Sequence, residues 1–137
     1  MSQVTVKKVV EGSSSVIIRV DFNGDGSGEL VNQIILSPSD LVPVRLNNKP
    51  AFRIMQVWYG LVLFDLFVGF GGVTPEYVWT FGKDTGTHVD FRSFGGLVDN
   101  TTSPPSDTSG GIVLSTNGFT TTGARGNVVM ELKKVNL

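Results

Sequence analysis

The segment DFNGDGSGE at residues 21–29 places oxygen-bearing side chains at alternate positions before a turn glycine. Short loops wrap calcium ions in this way. The candidate metal ligands are Asp21, Asn23, Asp25 and Glu29. Position twelve of the motif is Asn32 where a calcium loop needs a bidentate Glu, and Asn-Gly and Asp-Gly are also the commonest tight-turn pairs. We therefore expect a bare polar turn, with no cofactor and at most weak Ca²⁺ affinity.

The single histidine, His88, lies two residues before Asp90, so a strand would carry both side chains on one face. A catalytic triad also needs a nucleophile or a metal, and no serine here lies in a G-x-S-x-G elbow. We expect a hydrogen-bonded surface pair, no catalytic residues and no enzyme activity. A glycosidase needs two carboxylates that flank a groove. The sequence singles out no such pair among Asp65, Glu76, Asp84, Asp90 and Asp99.

Glycine-rich segments and aromatic residues give two weaker signals. GFGG at 69–72 and Gly95-Gly96 lack the lysine and the following helix of a phosphate loop, so tight turns explain them better. Four aromatic side chains could form a platform on which a sugar stacks, although aromatic residues of β proteins mostly fill cores and cross-strand pairs. These four are Trp58, Tyr59, Tyr77 and Trp79.

The elements that must position these residues centre on the apolar segment 52–72. At a period of two, Val62, Phe64, Leu66, Val68 and Phe70 share one face and apolar residues also occupy the other, which predicts central strands covered on both sides. Gly60 is the expected bend between two strands. A membrane span is the competing interpretation, but a central Asp65 would be costly in a bilayer.

The rest of the chain has the composition of short strands separated by turns. In residues 14–22, Val16, Ile18, Val20 and Phe22 alternate with Ser15, Ile17, Arg19 and Asp21, which predicts a strand with one buried face. Segments 76–81 and 87–91 flank GKDTG, which has the composition of a hairpin loop, and 99–111 reads as an exposed loop. The predicted fold class is all-β: one domain over residues 1–137, an antiparallel β-sandwich, jelly-roll-like, with about eight to ten short strands.

Composition excludes several classes of function. The chain has no cysteine, so it has neither disulfides nor thiolate metal sites. A formal net charge of −1 gives no field to attract nucleic acid, and Lys7-Lys8 and Lys133-Lys134 are interpreted as edge-strand lysines that discourage aggregation. We expect no nucleic-acid partner and no membrane. The first residues lack the apolar segment of a secretory signal, so we expect a protein used without Sec export.

The order of several segments resembles that of small virion structural proteins of tailed bacteriophages. The segments are DFNGDGSGEL, Ser-Pro-Ser-Asp-Leu, a Trp-containing strand, HVDFRSFGGL, a polar loop, GIVLSTNGF and a closing strand with Lys-Lys, from about Val16 onward. The resemblance implies a β-sandwich of the phage particle, namely a capsid decoration (cement) protein on the outer face of the major capsid protein lattice. The implied partners are the major capsid protein and further copies of the chain, as a dimer or trimer.

The resemblance also implies a location on the capsid surface, after synthesis in the host cytoplasm. Two alternatives remain open at this point. One is a carbohydrate-binding β-sandwich module, which needs an exposed aromatic platform. The other is a tail- or fibre-associated virion protein.

Overall fold

The structure is a computed structural model that describes residues 3–37, 40, 52–71, 75–98, 111–120 and 122–134. Most of the predicted loop at 99–111, and Gly72, lie outside the described residues. Ten strands and one 3-10 turn (Arg92–Phe94) occur within the described ranges. The strands are β1 (Val4–Glu11), β2 (Ser15–Asn23), β3 (Gln33–Leu36), β4 (Phe52–Val62), β5 (Asp65–Phe70), β6 (Glu76–Phe81), β7 (Gly86–Asp90), β8 (Leu97–Val98), β9 (Ile112–Asn117) and β10 (Arg125–Lys134).

The strands form two antiparallel sheets, which confirms the predicted all-β sandwich. The first sheet has the order β1-β2-β10-β4-β7, with β8 also paired to β4, and the second has the order β3-β9-β5-β6. We set aside β1 and the two-residue β8 and renumber the remaining eight strands from 1 to 8 along the chain. The two sheets then have the orders 1-8-3-6 and 2-7-4-5. Two interlocked four-stranded sheets of this kind are the jelly roll.

Alternating apolar residues fill the space between the sheets. In β2 the inward residues Val16, Ile18, Val20 and Phe22 are at most 3 % exposed, as the alternation predicts. Phe22 also contacts Phe64 and Phe119 edge to face, and these three rings close one end of the core. The hydrophobic driving force of the fold therefore comes from one face of each sheet.

The apolar segment supplies central strands of both sheets, as predicted, but its geometry differs in two respects. The chain leaves β4 at Leu63, which has a positive φ of 74°, and β4 continues through Gly60. Only one face is fully covered, because Trp58 and Val62 on the outer face are 39 % and 37 % exposed. Aromatic and β-branched residues tolerate such half-exposed strand positions, so apolar composition overstated the burial.

A β-bulge shifts the inward positions of β4. Leu132 of β10 pairs with Ile54 and Glu131 pairs with Gln56, so Met55 is the additional residue. Inward positions are therefore even-numbered before the bulge, as at Ile54, and odd-numbered after it, as at Val57. The bulge places Gln56 and Trp58 on the outer face of the first sheet.

The predicted hairpin around GKDTG is wrong, because β6 and β7 belong to different sheets. The connecting loop crosses the sandwich beside the β4–β5 connection and is tied to it. The Asp65 carboxylate accepts the Lys83 N–H at 2.8 Å, and the Asp84 carboxylate accepts the Leu63 N–H at 2.9 Å. Glycine, lysine and aspartate suit a hairpin and a sheet-to-sheet crossing equally well, so composition could not distinguish the two.

The two lysine pairs have different environments. Lys7 and Lys8 lie on β1, an edge strand, as predicted. Lys133 and Lys134 lie on β10, which is a central strand between β2 and β4, so the edge interpretation is wrong for them. Lys133 is exposed, whereas the Lys134 side chain is 1 % exposed and its Nζ contacts Glu11 Oε2 at 2.8 Å.

Candidate functional site

The four predicted calcium ligands have different partners. Asp21 forms an ion pair with Arg19 at 3.1 Å on the outer face of β2, and Asn23 ends that strand. Asp25 Oδ1 accepts the Ser27 N–H at 2.9 Å and the Ser27 hydroxyl at 2.5 Å, which forms a local turn and lowers the pKa of Asp25. Within the described ranges, no three His, Cys, Asp or Glu side chains are grouped as metal ligands.

Glu29, the last of the four, binds the turn after β9. Its carboxylate accepts the Thr116 hydroxyl at 2.8 Å, the Gly118 N–H at 2.7 Å and the Phe119 N–H at 2.8 Å. Burial acts to raise the pKa of Glu29, but the hydrogen bonds from Gly118, Thr116 and Phe119 outweigh burial and hold that pKa below its ordinary value. Glu29 therefore fastens the loop to the β9–β10 connection as an ionised group.

We expect Glu29→Gln to lower the free energy of unfolding at pH 7 by about 1–3 kcal/mol, because an amide cannot accept all three hydrogen bonds. The folded pKa lies below the unfolded value, so this stabilisation is fully present above the unfolded pKa of about 4.3 and is lost as pH falls through the folded pKa. Denaturant unfolding at pH 7 and pH 3 should show the larger deficit at pH 7. Exposed Glu76→Gln is the control, and equal deficits at both pH values would contradict the role of the charge.

His88 and Asp90 share one face of β7, as predicted, but the predicted hydrogen bond between them is wrong, because His88 binds Gln56 and Asp90 binds Arg92. The His88 ring stacks on Trp58 with centroids 4.8 Å apart and an angle of 9° between the rings. Arg92 binds Asp90 through Nη2 at 2.7 Å and Nε at 2.9 Å, and these bonds hold the pKa of Asp90 at about 2. So weak a base is a poor proton acceptor at neutral pH.

A hydrogen-bond chain fixes the orientation of His88. The Gln56 amide donates to Glu131 Oε1 at 2.7 Å, so Gln56 Oε1 is free to accept the N–H of His88 Nε2 at 2.8 Å. This arrangement assigns the proton to Nε2. Gln56 is only 7 % exposed, so the chain forms a rigid base under the Trp58–His88 stack.

Two of the remaining candidate carboxylates and the described glycines have structural roles, whereas Glu76 is exposed on β6. Asp65 and Asp84 accept backbone N–H groups of the crossing loops, and Asp99 lies outside the described residues. Gly95 and Gly96 form a tight turn with φ of 82° and 94°, as predicted. Gly69 lies within β5 instead, opposite a bulge in β6.

The four aromatic residues predicted as one platform are divided among three environments. Tyr59 faces inward against Phe81, with ring centroids 4.5 Å apart. Trp79 lies at an edge of the sandwich against Phe91, and the Tyr77 hydroxyl contacts Ser115 of β9 and Asn32, which precedes β3. Only Trp58 presents its ring on the outer face of the first sheet.

A depression lies next to Trp58 on this outer face, with a volume of about 440 Å³. We call it the Gly60 depression. It is lined by Asp21, Phe22, Gly60, Val62, Arg125, Gly126 and Asn127. The cross-strand pairs place Asp21, Asn127, Gly60 and Gly86 in one row across the sheet and Arg19, Val129, Trp58 and His88 in the next. Gly60 lines the depression, and it and its neighbour Gly86 are the two positions of the first row that carry no side chain.

Sequence reasoning missed the Gly60 depression and the residues Arg125 and Asn127. Its one available signal was Gly60 itself, which we interpreted as a bend. A Cβ at Gly60 would meet no atom within 4 Å, and its φ is not positive, so the backbone there does not require glycine. Glycine at such a position points to a surface that something else approaches.

Comparison with known proteins gives no family. No protein-family model matches the sequence, and no curated protein matches it.

In the described residues, no helix has both the length and the apolar character to cross a membrane.

Proposed function

We propose that the protein is a non-enzymatic structural protein of a tailed-bacteriophage particle, namely a capsid decoration protein that binds the outer surface of the major capsid protein lattice. The jelly-roll strand order carries the proposal, since this architecture recurs in viral capsid and lectin domains. The resemblance of segments from Val16 onward to virion structural proteins supports the same assignment.

The environment of His88 and Asp90 supports a non-enzymatic role. Asp90 is held by Arg92, and the His88 N–H at Nε2 is donated to Gln56. The other ring nitrogen, Nδ1, keeps a lone pair, but no hydroxyl or carboxylate of the described residues is hydrogen-bonded to it, so His88 has no nucleophile to activate as a general base would. These side chains brace the surface of the sandwich.

The 3-10 turn Arg92–Phe94 offers an anchor for docking on a protein lattice. Phe94 is 80 % exposed. The turn is rigid, because Gly95 and Gly96 donate to the carbonyls of Arg92 and Phe91 at 3.0 and 2.9 Å and the Asp90–Arg92 pair braces its start. A preorganised aromatic side chain beside an arginine is typical of interface anchors, since little conformational entropy is lost on binding.

Self-association into a dimer or trimer would make docking multivalent. Copies that bridge neighbouring capsid subunits convert individually modest contacts into strong attachment through effective concentration. The free edge of β1 is a poor surface for strand pairing, because Lys7 and Lys8 and a bulge at Val9 interrupt it. Side-chain contacts are therefore the expected mode of association.

Rebinding to stripped particles tests the proposal. Purified wild-type protein should bind stripped capsids in lattice stoichiometry, measured by co-sedimentation and electron microscopy. Phe94→Ser should weaken rebinding by about tenfold or more, as expected for an aromatic anchor. Val31→Ser removes another exposed apolar side chain (73 % exposed) elsewhere on the surface and should leave rebinding unchanged. Wild-type protein that remains soluble and monomeric beside stripped capsids would refute the proposal.

A further inference from the structure

We infer that the Gly60 depression and the adjoining Trp58 ring form a binding site for an anionic oligosaccharide. This inference goes beyond capsid docking and does not depend on it. The inference rests on three features that share one sheet face. They are a depression with no side chain at Gly60, polar side chains available to a ligand, and an exposed indole. Ligand sites are concave and hold a small number of placed polar groups in this way.

The polar groups of the depression are available to a ligand. Arg125 and Asn127 are exposed, and neither side chain has a hydrogen-bond or ion-pair partner in the part of the chain that the structure describes. The neighbouring Asp21 is neutralised by Arg19. Arg125 therefore leaves one uncompensated positive charge at the depression.

That charge selects the chemistry of the ligand. A guanidinium group binds a carboxylate through two parallel hydrogen bonds, and the Asn127 amide can both donate to and accept from a sugar hydroxyl. A single arginine is too small a positive patch for the phosphate backbone of a nucleic acid, and the chain has a net charge of −1. A saccharide with a carboxylate satisfies both side chains.

Trp58 supplies the stacking surface. Its indole is 39 % exposed and is held against the His88 ring, which the buried Gln56 orients. The C–H groups on one side of a pyranose ring are attracted to the electron-rich face of an aromatic ring, and because His88 covers one face of the indole, a sugar would stack on the opposite face. Because the indole is already fixed, a sugar binds it without the entropic cost of ordering a mobile side chain.

The spacing of these groups indicates an oligosaccharide and not a single sugar. Arg125 pairs with Val62, which is four residues beyond Trp58 on the same strand. At a rise of about 3.3 Å per residue, the two groups are separated by roughly 13 Å. The depression at Gly60 lies between them, so a chain of sugars would run along β4 with its carboxylate at Arg125.

The test measures binding of trigalacturonic acid and acidic sialosides, with their neutral methyl esters as matched ligands, by calorimetry and by nuclear magnetic resonance. We expect the acids to perturb amide signals of β2, β10 and β4 around Gly60, and to bind about tenfold more tightly than the esters, as one charge-assisted pair requires. Affinity should fall as ionic strength rises.

Three variants locate the site. Gly60→Val fills the depression at a position where a Cβ meets no atom within 4 Å, so it should abolish binding while the protein stays folded. Arg125→Gln should weaken acid binding about tenfold, whereas Lys133→Gln, the same charge change on the same strand, should not. Trp58→Ala should weaken acids and esters alike.

Three outcomes would overturn the inference. One is the absence of binding by every acidic saccharide at millimolar concentration. Another is binding that Gly60→Val leaves intact. The last is equal or tighter binding of a single-stranded oligonucleotide, which would assign the surface to another class of ligand.

Discussion

Gly69→Ala is expected to destabilise the protein by at least about 3 kcal/mol, at the upper end of the range for overpacking. A Cβ at Gly69 would lie 2.7 Å from the Glu76 carbonyl carbon and from the Tyr77 Cα, and closer still to the Glu76 carbonyl oxygen. These atoms belong to the paired backbone of β6, which cannot move away without breaking its hydrogen bonds to β5. The loss is a large fraction of the stability of an ordinary domain.

Urea unfolding of Gly69→Ala beside Gly60→Ala measures the effect. Both glycines lie within central strands and neither has a positive φ, so the two substitutions differ in the space available to the new methyl group. Gly60→Ala should leave the unfolding midpoint unchanged or raise it slightly, because alanine reduces the entropy of the unfolded chain. If both variants unfold at the same urea concentration, backbone contact at Gly69 is not the cause.

The sequence predicted the parts of the fold that local periodicity determines. In β2 and β5 each inward side chain is apolar, and neither strand has an additional residue that would reverse its inward positions. Alternation therefore identified the core residues directly. The bulge at Met55 shows the limit of this method. One additional residue reverses the inward positions of β4, and its place depends on pairing with β10, which no local pattern encodes.

The candidate site was less predictable because it depends on register. Trp58 and His88 are thirty positions apart in sequence and stack because β4 pairs with β7 at that position. Arg125 and Asn127 likewise reach Gly60 only through the pairing of β10 with β4. Residue type singled out Trp58 for sugar stacking and His88 for a possible catalytic pair, but only the strand order shows which residues surround them.

Glu11→Ala is expected to lower the free energy of unfolding by about 3–5 kcal/mol, because it removes the carboxylate that contacts the buried ammonium group of Lys134. The Lys134 side chain is 1 % exposed and donates to Glu11 Oε2 and to the Gly12 carbonyl, each at 2.8 Å. Lys8 binds the other carboxylate oxygen at 3.0 Å but is 37 % exposed, so its loss of a partner costs little. The pair joins the end of β10 to the end of β1.

The double variant Glu11→Ala/Lys134→Met separates the cost of burying the Lys134 charge without Glu11 from the contribution of the ion pair. Methionine keeps the apolar stem and removes the charge, so the double variant should be more stable than Glu11→Ala alone. Thermal and urea unfolding of the wild type, Glu11→Ala, Lys134→Met and the double variant give the coupling energy, with exposed Lys133→Met as the control. If Glu11→Ala and the double variant are equally unstable, the loss comes from packing at the β1 terminus, and the buried charge of Lys134 is not what Glu11 compensates.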